Sequence, residues 1–102
     1  MVIYIDIDQT ICKTPVINGK LDYSKAEPIQ ENITKANKLY DGGNEIVYWT
    51  SRGVLSKIDY IPLTVKQLLR WGVKYNEVKF EKPYYDLFID DKALNVNDWK
   101  NE

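Results

Sequence analysis

Four short apolar runs occur along the chain and alternate with two longer stretches whose apolar residues recur at helical spacing. The runs are rich in β-branched and aromatic side chains, which indicates buried strands rather than surface helices. They lie at 2–5, 45–49, 78–80 and 86–90. The pattern therefore predicts the order strand, helix, strand, helix, strand, strand.

Proline and glycine mark the ends of the two predicted helices. Pro28 suits the first helical position, and the apolar spacing that follows it ends before Gly42. The second helix is predicted to end near Gly72, and a candidate capping box at 56–59 precedes it. Both helices are long enough to connect neighbouring strands of one sheet.

This alternation predicts an α/β fold with a mainly parallel sheet and helices on its faces, a three-layer Rossmann-like arrangement. A single domain over 1–102 suits the length. Asn18 and Gly19 form the strongest signal for a type I′ turn, which predicts a small hairpin flap beside the first strand. The tail at 93–102 is expected to be a short helix or an irregular cover containing Trp99.

Composition restricts the chemistry that the chain can perform. It has 14 Lys and Arg against 15 Asp and Glu, so nucleic acid is disfavoured as a partner. It has no histidine and a single cysteine, Cys12, which excludes zinc chemistry, a disulfide framework and histidine-based catalysis. No apolar span suits a membrane, and a cytoplasmic location is expected. Carboxylates, lysines and hydroxyls remain to do any chemistry.

Chemically capable side chains follow the predicted strands at the point where each strand ends. Parallel strands bring their carboxyl ends to one edge of a sheet, where ligands bind in open α/β folds. An isolated Asp-x-Asp pair is common in solvated turns, but a cluster from several strands indicates a site. The cluster consists of Asp6, Asp8, Thr50, Ser51, Lys82, Asp90 and Asp91.

These residues resemble the four motifs of the haloacid dehalogenase (HAD) superfamily in their order along the chain. The stretch from Tyr4 to Thr10, Tyr-Ile-Asp-Ile-Asp-Gln-Thr, is similar to motif I. Thr50 resembles motif II, Lys82 motif III and the pair at 90–91 motif IV. The resemblance implies a HAD-like fold, and the compact form is similar to small phosphatases of capsular polysaccharide biosynthesis.

The resemblance implies a phosphomonoester hydrolase that works through an aspartyl-phosphate. Asp6 would be the nucleophile. Asp8 would protonate the leaving oxygen and then activate the hydrolytic water. Magnesium would be held by Asp6, the Asp8 backbone carbonyl, Asp90 and waters, because hard cations prefer oxygen ligands. Asp91 would be either a further ligand through water or a group that orients the others.

The resemblance also assigns the groups that would neutralise the phosphate charge. Thr50 and Ser51 would donate hydrogen bonds to phosphoryl oxygens, and Lys82 would supply positive charge. Lys79 lies close enough in sequence to be the alternative lysine. Arg52 is a candidate contact to the substrate, although a hydroxyl and an arginine at a strand end also serve as caps or surface ion pairs.

Two departures from the usual pattern concern the turn and the cap. Gln9 stands where the family often has glycine, so the backbone there must be compatible with a side chain. Only about forty residues separate Asp8 from Thr50, too few for a globular cap domain. The resemblance therefore implies an open site, and in such members a neighbouring subunit can serve as a lid, which makes a homo-oligomer one expectation.

The substrate class and the function class stay open at this point. A small phosphorylated sugar or a related metabolite is the leading interpretation, and a nucleotide or a polynucleotide end is the alternative. A non-catalytic phosphoacceptor or binding module is the rival of a different class, because receiver domains also combine a parallel sheet with acids, a threonine and a lysine. Their acids and lysine occur in a different order along the chain from the one found here.

Overall fold

The fold is described for residues 1–100 by a computed structural model. The strands are β1 Val2–Ile5, β2 Cys12–Lys13, β3 Val16–Ile17, β4 Lys20–Leu21, β5 Glu27–Pro28, β6 Glu45–Trp49 and β7 Glu77–Lys79. The helices are α1 Gln30–Asp41 and α2 Ile61–Arg70, and single 3-10 turns occupy Tyr23–Lys25 and Val96–Asp98. Within residues 1–100, no helix is both long and apolar enough to cross a membrane.

The main sheet has three parallel strands in the order β1, β6, β7. Ile5 of β1 pairs with Tyr48 of β6, and Trp49 of β6 pairs with Lys79 of β7. This register brings the segments that follow the three strands to the same edge of the sheet, as the sequence predicts. The chain therefore has an α/β fold with a parallel sheet and two helices.

A single apolar core joins the sheet to both helices. Its fully buried side chains come from the loop after β1, β2, α1, β6 and α2, and they are Ile7, Ile11, Cys12, Ile33, Ala36, Ile46, Tyr48 and Leu68. Burying one such aliphatic side chain contributes about 1.5–3 kcal/mol relative to leaving it exposed. The core holds the loops at the carboxyl edge of the sheet in place from beneath.

The predicted helix ends are correct, and the predicted beginnings are not. The end of α1 before Gly42 and the end of α2 before Gly72, which has φ +73°, are confirmed. Pro28 does not begin α1, because it pairs with Cys12 in the small β2–β5 ladder. The candidate capping box at 56–59 lies outside α2, which begins at Ile61 with a proline in its first turn. Turn-favouring residues alone do not locate a helix start.

The predicted hairpin flap is confirmed. Asn18 and Gly19 both have positive φ, +53° and +77°, as the two central residues of a type I′ turn require. Ile17 pairs with Lys20 across the turn in the β3–β4 ladder. The flap lies beside the loop that follows β1.

The prediction of a fourth strand at 86–90 is wrong, because this segment does not pair with any strand of the described residues. Its side chains are solvent-exposed, with Leu87 at 75% and Ile89 at 87%. The Phe88 ring contacts the neighbouring Tyr85 ring, with centroids 5.3 Å apart. An apolar run predicts a strand only where an edge is available to pair with it, and periodicity does not report that pairing.

The tail beyond this segment is an irregular cover over the core. This is one of the two alternatives predicted from the sequence, the other being a short helix. Trp99 packs against the core, and the Lys35 ammonium donates to the Trp99 carbonyl oxygen at 2.7 Å. Lys35 is buried in this contact. The last two residues of the predicted tail, 101 and 102, lie outside the described residues.

Candidate active site at the carboxyl edge of the sheet

The loop after β1 presents two carboxylates from either side of a buried anchor. Ile7 and Ile11 are fully buried, and the Ile11 N–H donates to the Ile7 carbonyl oxygen at 3.0 Å. Asp6 and Asp8 flank Ile7 and are only partly buried. The Ile7 backbone N–H donates to Asp6 Oδ1 at 2.9 Å, which orients that carboxylate. The alternation of acid and isoleucine thus fixes where each acid lies.

Gln9 is compatible with the tight turn because its side chain bonds to the loop. Its φ is +63°, the left-handed conformation that glycine would adopt without strain. The Gln9 Nε2 donates to the Thr14 carbonyl oxygen at 2.8 Å, and the Thr14 N–H donates to Gln9 Oε1 at 3.4 Å. The Thr14 hydroxyl in turn donates to Asp8 Oδ1. The amide therefore connects the turn to the segment that holds Asp8.

Lys82 lies beside Asp6 even though 75 residues separate them in the sequence. Its Nζ is 3.5 Å from Asp6 Oδ2, and the side chains are 12% and 39% exposed, respectively. The Lys82 backbone N–H donates to the Thr50 carbonyl oxygen at 3.2 Å, which fixes the origin of the side chain. The ammonium also lies over the rings of Trp49 and Tyr85, 5.7 and 5.3 Å from their centroids. A cation is thus held beside Asp6, an acid that lines the cleft.

The electrostatics around Asp6 oppose one another. Burial raises the pKa of Asp6 above its ordinary value, and the charge of Asp8 raises it further. The Lys82 ammonium and the Ile7 N–H hydrogen bond both lower the Asp6 pKa and so offset part of this shift. Asp6 is therefore a carboxylate whose charge is poorly solvated by water and stabilised by one lysine.

The structure separates the two candidate lysines. Lys79 is exposed, and its Nζ donates to the Tyr4 hydroxyl at 2.9 Å. Its ammonium lies over the same ring, 5.3 Å from the centroid. Lys82, in contrast, contacts Asp6. Of the two alternatives that the sequence leaves open, Lys82 is the one placed at the acid pair.

Thr50 and Ser51 lie where β6 ends, as predicted. Thr50 is buried, and its Oγ1 accepts from the Arg52 backbone N–H at 3.2 Å. Ser51 borders the cleft. Gly53 follows with φ +85°, and a Cβ added to it would lie 2.4 Å from the Ile58 carbonyl oxygen. Only glycine fits this close approach, which turns the chain sharply away from the hydroxyl pair.

Arg52 is placed differently from the substrate-facing position considered for it. Its side chain is buried, with 2% of the residue exposed. Its Nη2 donates to Asp8 Oδ1 at 2.8 Å and its Nε to Asp8 Oδ2 at 3.0 Å. Its Nη1 donates to Thr64 Oγ1 at 3.0 Å and to Gln67 Oε1 at 2.7 Å. The guanidinium is therefore paired with Asp8 and anchored to α2.

An open cleft of about 730 Å³ lies above these groups. Asp6, Ser51 and Lys82 form its floor, and the hairpin flap contributes one wall. Four tyrosines and one further lysine also line it, namely Tyr23, Tyr60, Tyr84, Tyr85 and Lys20. The Tyr23 and Tyr60 rings pack edge to face with centroids 4.9 Å apart. The cleft thus combines a charged floor with aromatic walls.

Asp90 and Asp91 are not brought into this cluster. Both are exposed, and hydrogen bonding to Asp91 lowers the pKa of Asp90. Within residues 1–100, no group of three or more acid, cysteine or histidine side chains is arranged to hold a metal. The oxygen donors proposed for magnesium suit that ion chemically. Asp90 and Asp91 do not line the cleft that holds Asp6.

Cys12 is a buried neighbour of the acid loop. Burial raises the pKa of its thiol to about 11. Its Sγ lies 3.6 Å from the Ile7 carbonyl oxygen and from Asp8 Oδ1. A thiol that stays protonated at neutral pH is a poor nucleophile, so Cys12 fills space in the core beneath the site.

Three polar residues of the site were missed in the sequence analysis. The Thr14 hydroxyl donates to Asp8, and Thr64 and Gln67 accept from Arg52. Thr64 and Gln67 are spaced i, i+3 on α2 and are buried, as is Leu68 on the same helix. Polar side chains on the core-facing side of an amphipathic helix are a usable signal, because a buried polar group needs a partner.

Comparisons with known proteins identify a shared fold. No family model and no curated protein matches the chain. Among solved structures, the crystal structure of an MCSG target from Vibrio cholerae superposes with a TM-score of 0.79 at 24% identity. The match covers 94% of this chain and 84% of that one. At this identity the likeness concerns the fold alone.

Proposed function

We propose that the protein is a phosphomonoester hydrolase of the HAD type that forms an aspartyl-phosphate on Asp6. The observation that carries this proposal is the pair at the floor of the cleft, with Lys82 Nζ 3.5 Å from Asp6 Oδ2. An anionic nucleophile attacks a phosphate dianion only where a cation reduces the repulsion between them. The sequence resemblance supports the same assignment.

The reaction proceeds in two displacements at phosphorus. An Asp6 carboxylate oxygen bonds to phosphorus while the bond to the substrate's leaving oxygen breaks, and Asp8 donates a proton to that oxygen. Water then attacks the aspartyl-phosphate as Asp8 accepts its proton, and the bond between phosphorus and Asp6 breaks. Inorganic phosphate and the regenerated carboxylate are the products. Asp8 gives one proton to the leaving group in the first step and takes one from water in the second, so it ends in its starting state.

Thr50, Ser51 and Lys82 bind the phosphoryl group in this proposal. The Thr50 hydroxyl oxygen already accepts from the Arg52 N–H, so its own proton is available to a phosphoryl oxygen. Ser51 borders the cleft and adds a second hydroxyl. Lys82 contributes charge to the same group. These three residues neutralise and orient the phosphate without contacting the rest of the substrate.

Magnesium is part of the proposal as the second source of positive charge. When bound, it would polarise a phosphoryl oxygen and further reduce the repulsion felt by Asp6. The resemblance names Asp6, the Asp8 carbonyl, Asp90 and Asp91 as its ligands, although the pair at 90–91 does not line the cleft that holds Asp6. A three-layer HAD-like core belongs to the same proposal, and the shared fold with the Vibrio cholerae structure is compatible with it.

The walls of the cleft favour a substrate that carries a ring. Tyrosine rings pack against the apolar faces of sugars, and their hydroxyls bond to sugar hydroxyls. Lys20 on the flap adds a second positive charge to the lining of the cleft. We therefore propose a phosphorylated sugar or a related metabolite as substrate. A nucleotide is the second candidate, because bases also stack on aromatic rings.

Release of phosphate from a substrate panel tests this function. The panel contains sugar phosphates, nucleotides and oligonucleotide ends, each with and without magnesium. We expect magnesium-dependent release by the wild type and at least a 10³-fold loss in Asp6→Asn, on the order seen when a nucleophile is removed. Asp41→Asn, an exposed acid paired with Lys74 on the surface, is the matched control.

Two results would count against the proposal. Equal phosphate release by wild type and Asp6→Asn would remove Asp6 as the nucleophile. A wild type that binds magnesium but releases phosphate from no substrate would favour a phosphoacceptor or binding module instead.

A further inference from the structure

Asp8 and Arg52 form the most extensively bonded pair of side chains at the site. The guanidinium meets the carboxylate with two parallel hydrogen bonds, 2.8 Å to Oδ1 and 3.0 Å to Oδ2. Such a fork fixes both the distance and the plane of the carboxylate, whereas a lysine would fix only the distance. Arg52 therefore determines how the Asp8 side chain is oriented.

The two oxygens of Asp8 are not equivalent in this arrangement. Oδ1 accepts from Arg52 Nη2 and from the Thr14 hydroxyl, which uses both of its lone pairs. Oδ2 accepts from Arg52 Nε alone and keeps one lone pair. The Asp8 side chain is 13% exposed. Oδ2 is thus the oxygen that can carry a proton to or from a reacting group.

Arg52 is itself fixed by α2. Its Nη1 donates to Thr64 Oγ1 and Gln67 Oε1, so four hydrogen bonds surround the guanidinium. The Gln67 Nε2 donates to the Tyr23 carbonyl oxygen at 2.7 Å, and Arg52 lies 4.8 Å from the centroid of the Tyr23 ring. Tyr23 is part of the cleft wall. A continuous polar network therefore connects α2 and the wall of the cleft to Asp8.

We infer that Arg52 is a positioning residue that holds the Asp8 carboxylate with Oδ2 directed to the leaving oxygen of the substrate. Thr64 and Gln67 hold Arg52 in turn, so the orientation of Asp8 is set by a helix rather than by its own loop. This inference rests on the proposed hydrolase function. It assigns the buried arginine to proton transfer rather than to binding of the substrate.

A series of aryl phosphates tests the inference. The series runs from p-nitrophenyl phosphate, whose anion leaves without a proton, to p-methoxyphenyl phosphate, whose leaving oxygen needs one. The quantity compared is kcat/KM, since in a two-step reaction it covers only the steps through release of the phenol. Arg52→Lys keeps the positive charge and loses the fork. We expect kcat/KM to fall about 10- to 100-fold for the methoxy substrate and less than about 3-fold for the nitro substrate.

Combination with Asp8→Asn sharpens the test. If Arg52 acts through Asp8, then Arg52→Lys added to Asp8→Asn causes no further loss on the methoxy substrate. Gln67→Met leaves both Arg52–Asp8 hydrogen bonds in place, and we expect the same leaving-group dependence at smaller amplitude. It also tests the inference where Arg52→Lys does not fold. Lys35→Met, at a buried lysine of α1 that bonds to the tail, is the control whose ratio between the two substrates stays at the wild-type value.

The outcomes separate this inference from the function on which it rests. Equal losses on both substrates, or full additivity with Asp8→Asn, would overturn the positioning role and leave the hydrolase in place. A wild type that hydrolyses no aryl phosphate and no substrate of the wider panel would remove the hydrolase and the positioning role together.

Discussion

The loop at Asp8 and the segment at Asp90 carry the same kind of side chain in opposite surroundings. Asp8 is surrounded by a buried arginine and a threonine, and these are bonded to helix α2 and to the turn at Gln9. Asp90 is exposed and interacts chiefly with its neighbour Asp91. Two aspartates that look alike in the sequence therefore differ in the structure. Asp8 is held by several side chains, whereas Asp90 has few tertiary contacts.

This difference shows that the buried polar contacts of the site are concentrated around Asp8. A buried carboxylate is tolerated only with partners, and each partner of Asp8 is positioned by a different element. The proposed nucleophile, Asp6, lies between the two extremes, with one lysine and one backbone N–H. The proposed chemistry depends most on groups that are oriented before the substrate binds, and in this proposal those groups are Asp6 and Asp8.

The largest effect in this comparison is expected at Arg52. Arg52→Met should lower the free energy of unfolding by about 3–5 kcal/mol, because Asp8 loses the buried cation that pairs with it. Asp90→Asn should change it by less than about 0.5 kcal/mol, as expected of an exposed position. Urea denaturation of both variants gives the two values. Similar losses would mean that the two acids are held alike.

Lys82 provides the next largest effect, this time on activity. Lys82→Met should reduce kcat/KM about 10²- to 10³-fold, comparable to removal of a group that stabilises charge in the transition state. Asp6 must be ionised to attack, and its pKa is already raised by burial. Removal of Lys82 raises that pKa further, so the acid limb of the kcat/KM profile should move to higher pH.

The control for this prediction is Lys82→Arg, which keeps the charge and should keep the acid limb close to its wild-type position. An acid limb that stays in place in Lys82→Met would show that Lys82 does not stabilise the Asp6 carboxylate.

Lys35 tests whether the buried contact between α1 and the tail stabilises the fold more than an exposed ion pair does. Lys35→Met should cost about 1.5–3 kcal/mol, the usual contribution of a hydrogen bond from a charged donor, here to the Trp99 carbonyl. Lys74→Met, which breaks an exposed pair with Asp41, should cost less than about 1 kcal/mol. Denaturation followed by tryptophan fluorescence measures both. Equal costs would contradict the difference in burial.

Tyr48 is expected to give the smallest effect. It is fully buried in β6, and within residues 1–100 its hydroxyl has no hydrogen-bond partner. Burial also raises the pKa of that hydroxyl. Tyr48→Phe removes an unsatisfied polar atom and keeps the ring that packs against Tyr75. The variant should be as stable as the wild type or more stable by up to about 1 kcal/mol, and a clear loss would indicate an undetected partner for the hydroxyl.

The sequence predicted those features that depend on local pattern. The strands β1 and β6, the hairpin at Asn18 and the helix ends before Gly42 and Gly72 follow from apolar runs and from residues with special backbone preferences. The clustering of Asp6, Ser51 and Lys82 around one cleft followed from the parallel order of the strands. These predictions need no knowledge of distant contacts.

The features that the sequence did not predict depend on long-range contacts. The strand expected at 86–90 requires a partner edge, and Pro28 joined a ladder with Cys12 instead of beginning a helix. The pairing of Arg52 with Asp8 joins residues 44 positions apart and depends on where α2 lies. Local propensity contains no information about such contacts, so the pattern at Arg52 suggested a substrate contact and was also compatible with a cap or a surface ion pair.

The central claim is that Asp6 carries the phosphoryl group, and acid-quenched peptide mass spectrometry tests it most directly. The protein is mixed with p-nitrophenyl phosphate and magnesium, quenched in acid during turnover, and digested. We predict one added phosphoryl group on the peptide that contains Asp6, and none in Asp6→Asn. Because burial raises the pKa of Asp6, its ionisation costs stability above the ordinary aspartate pKa, so Asp6→Asn should remain folded at neutral pH. Sustained phosphate release by the wild type with no phosphorylated peptide, and the same release by Asp6→Asn, would contradict the account.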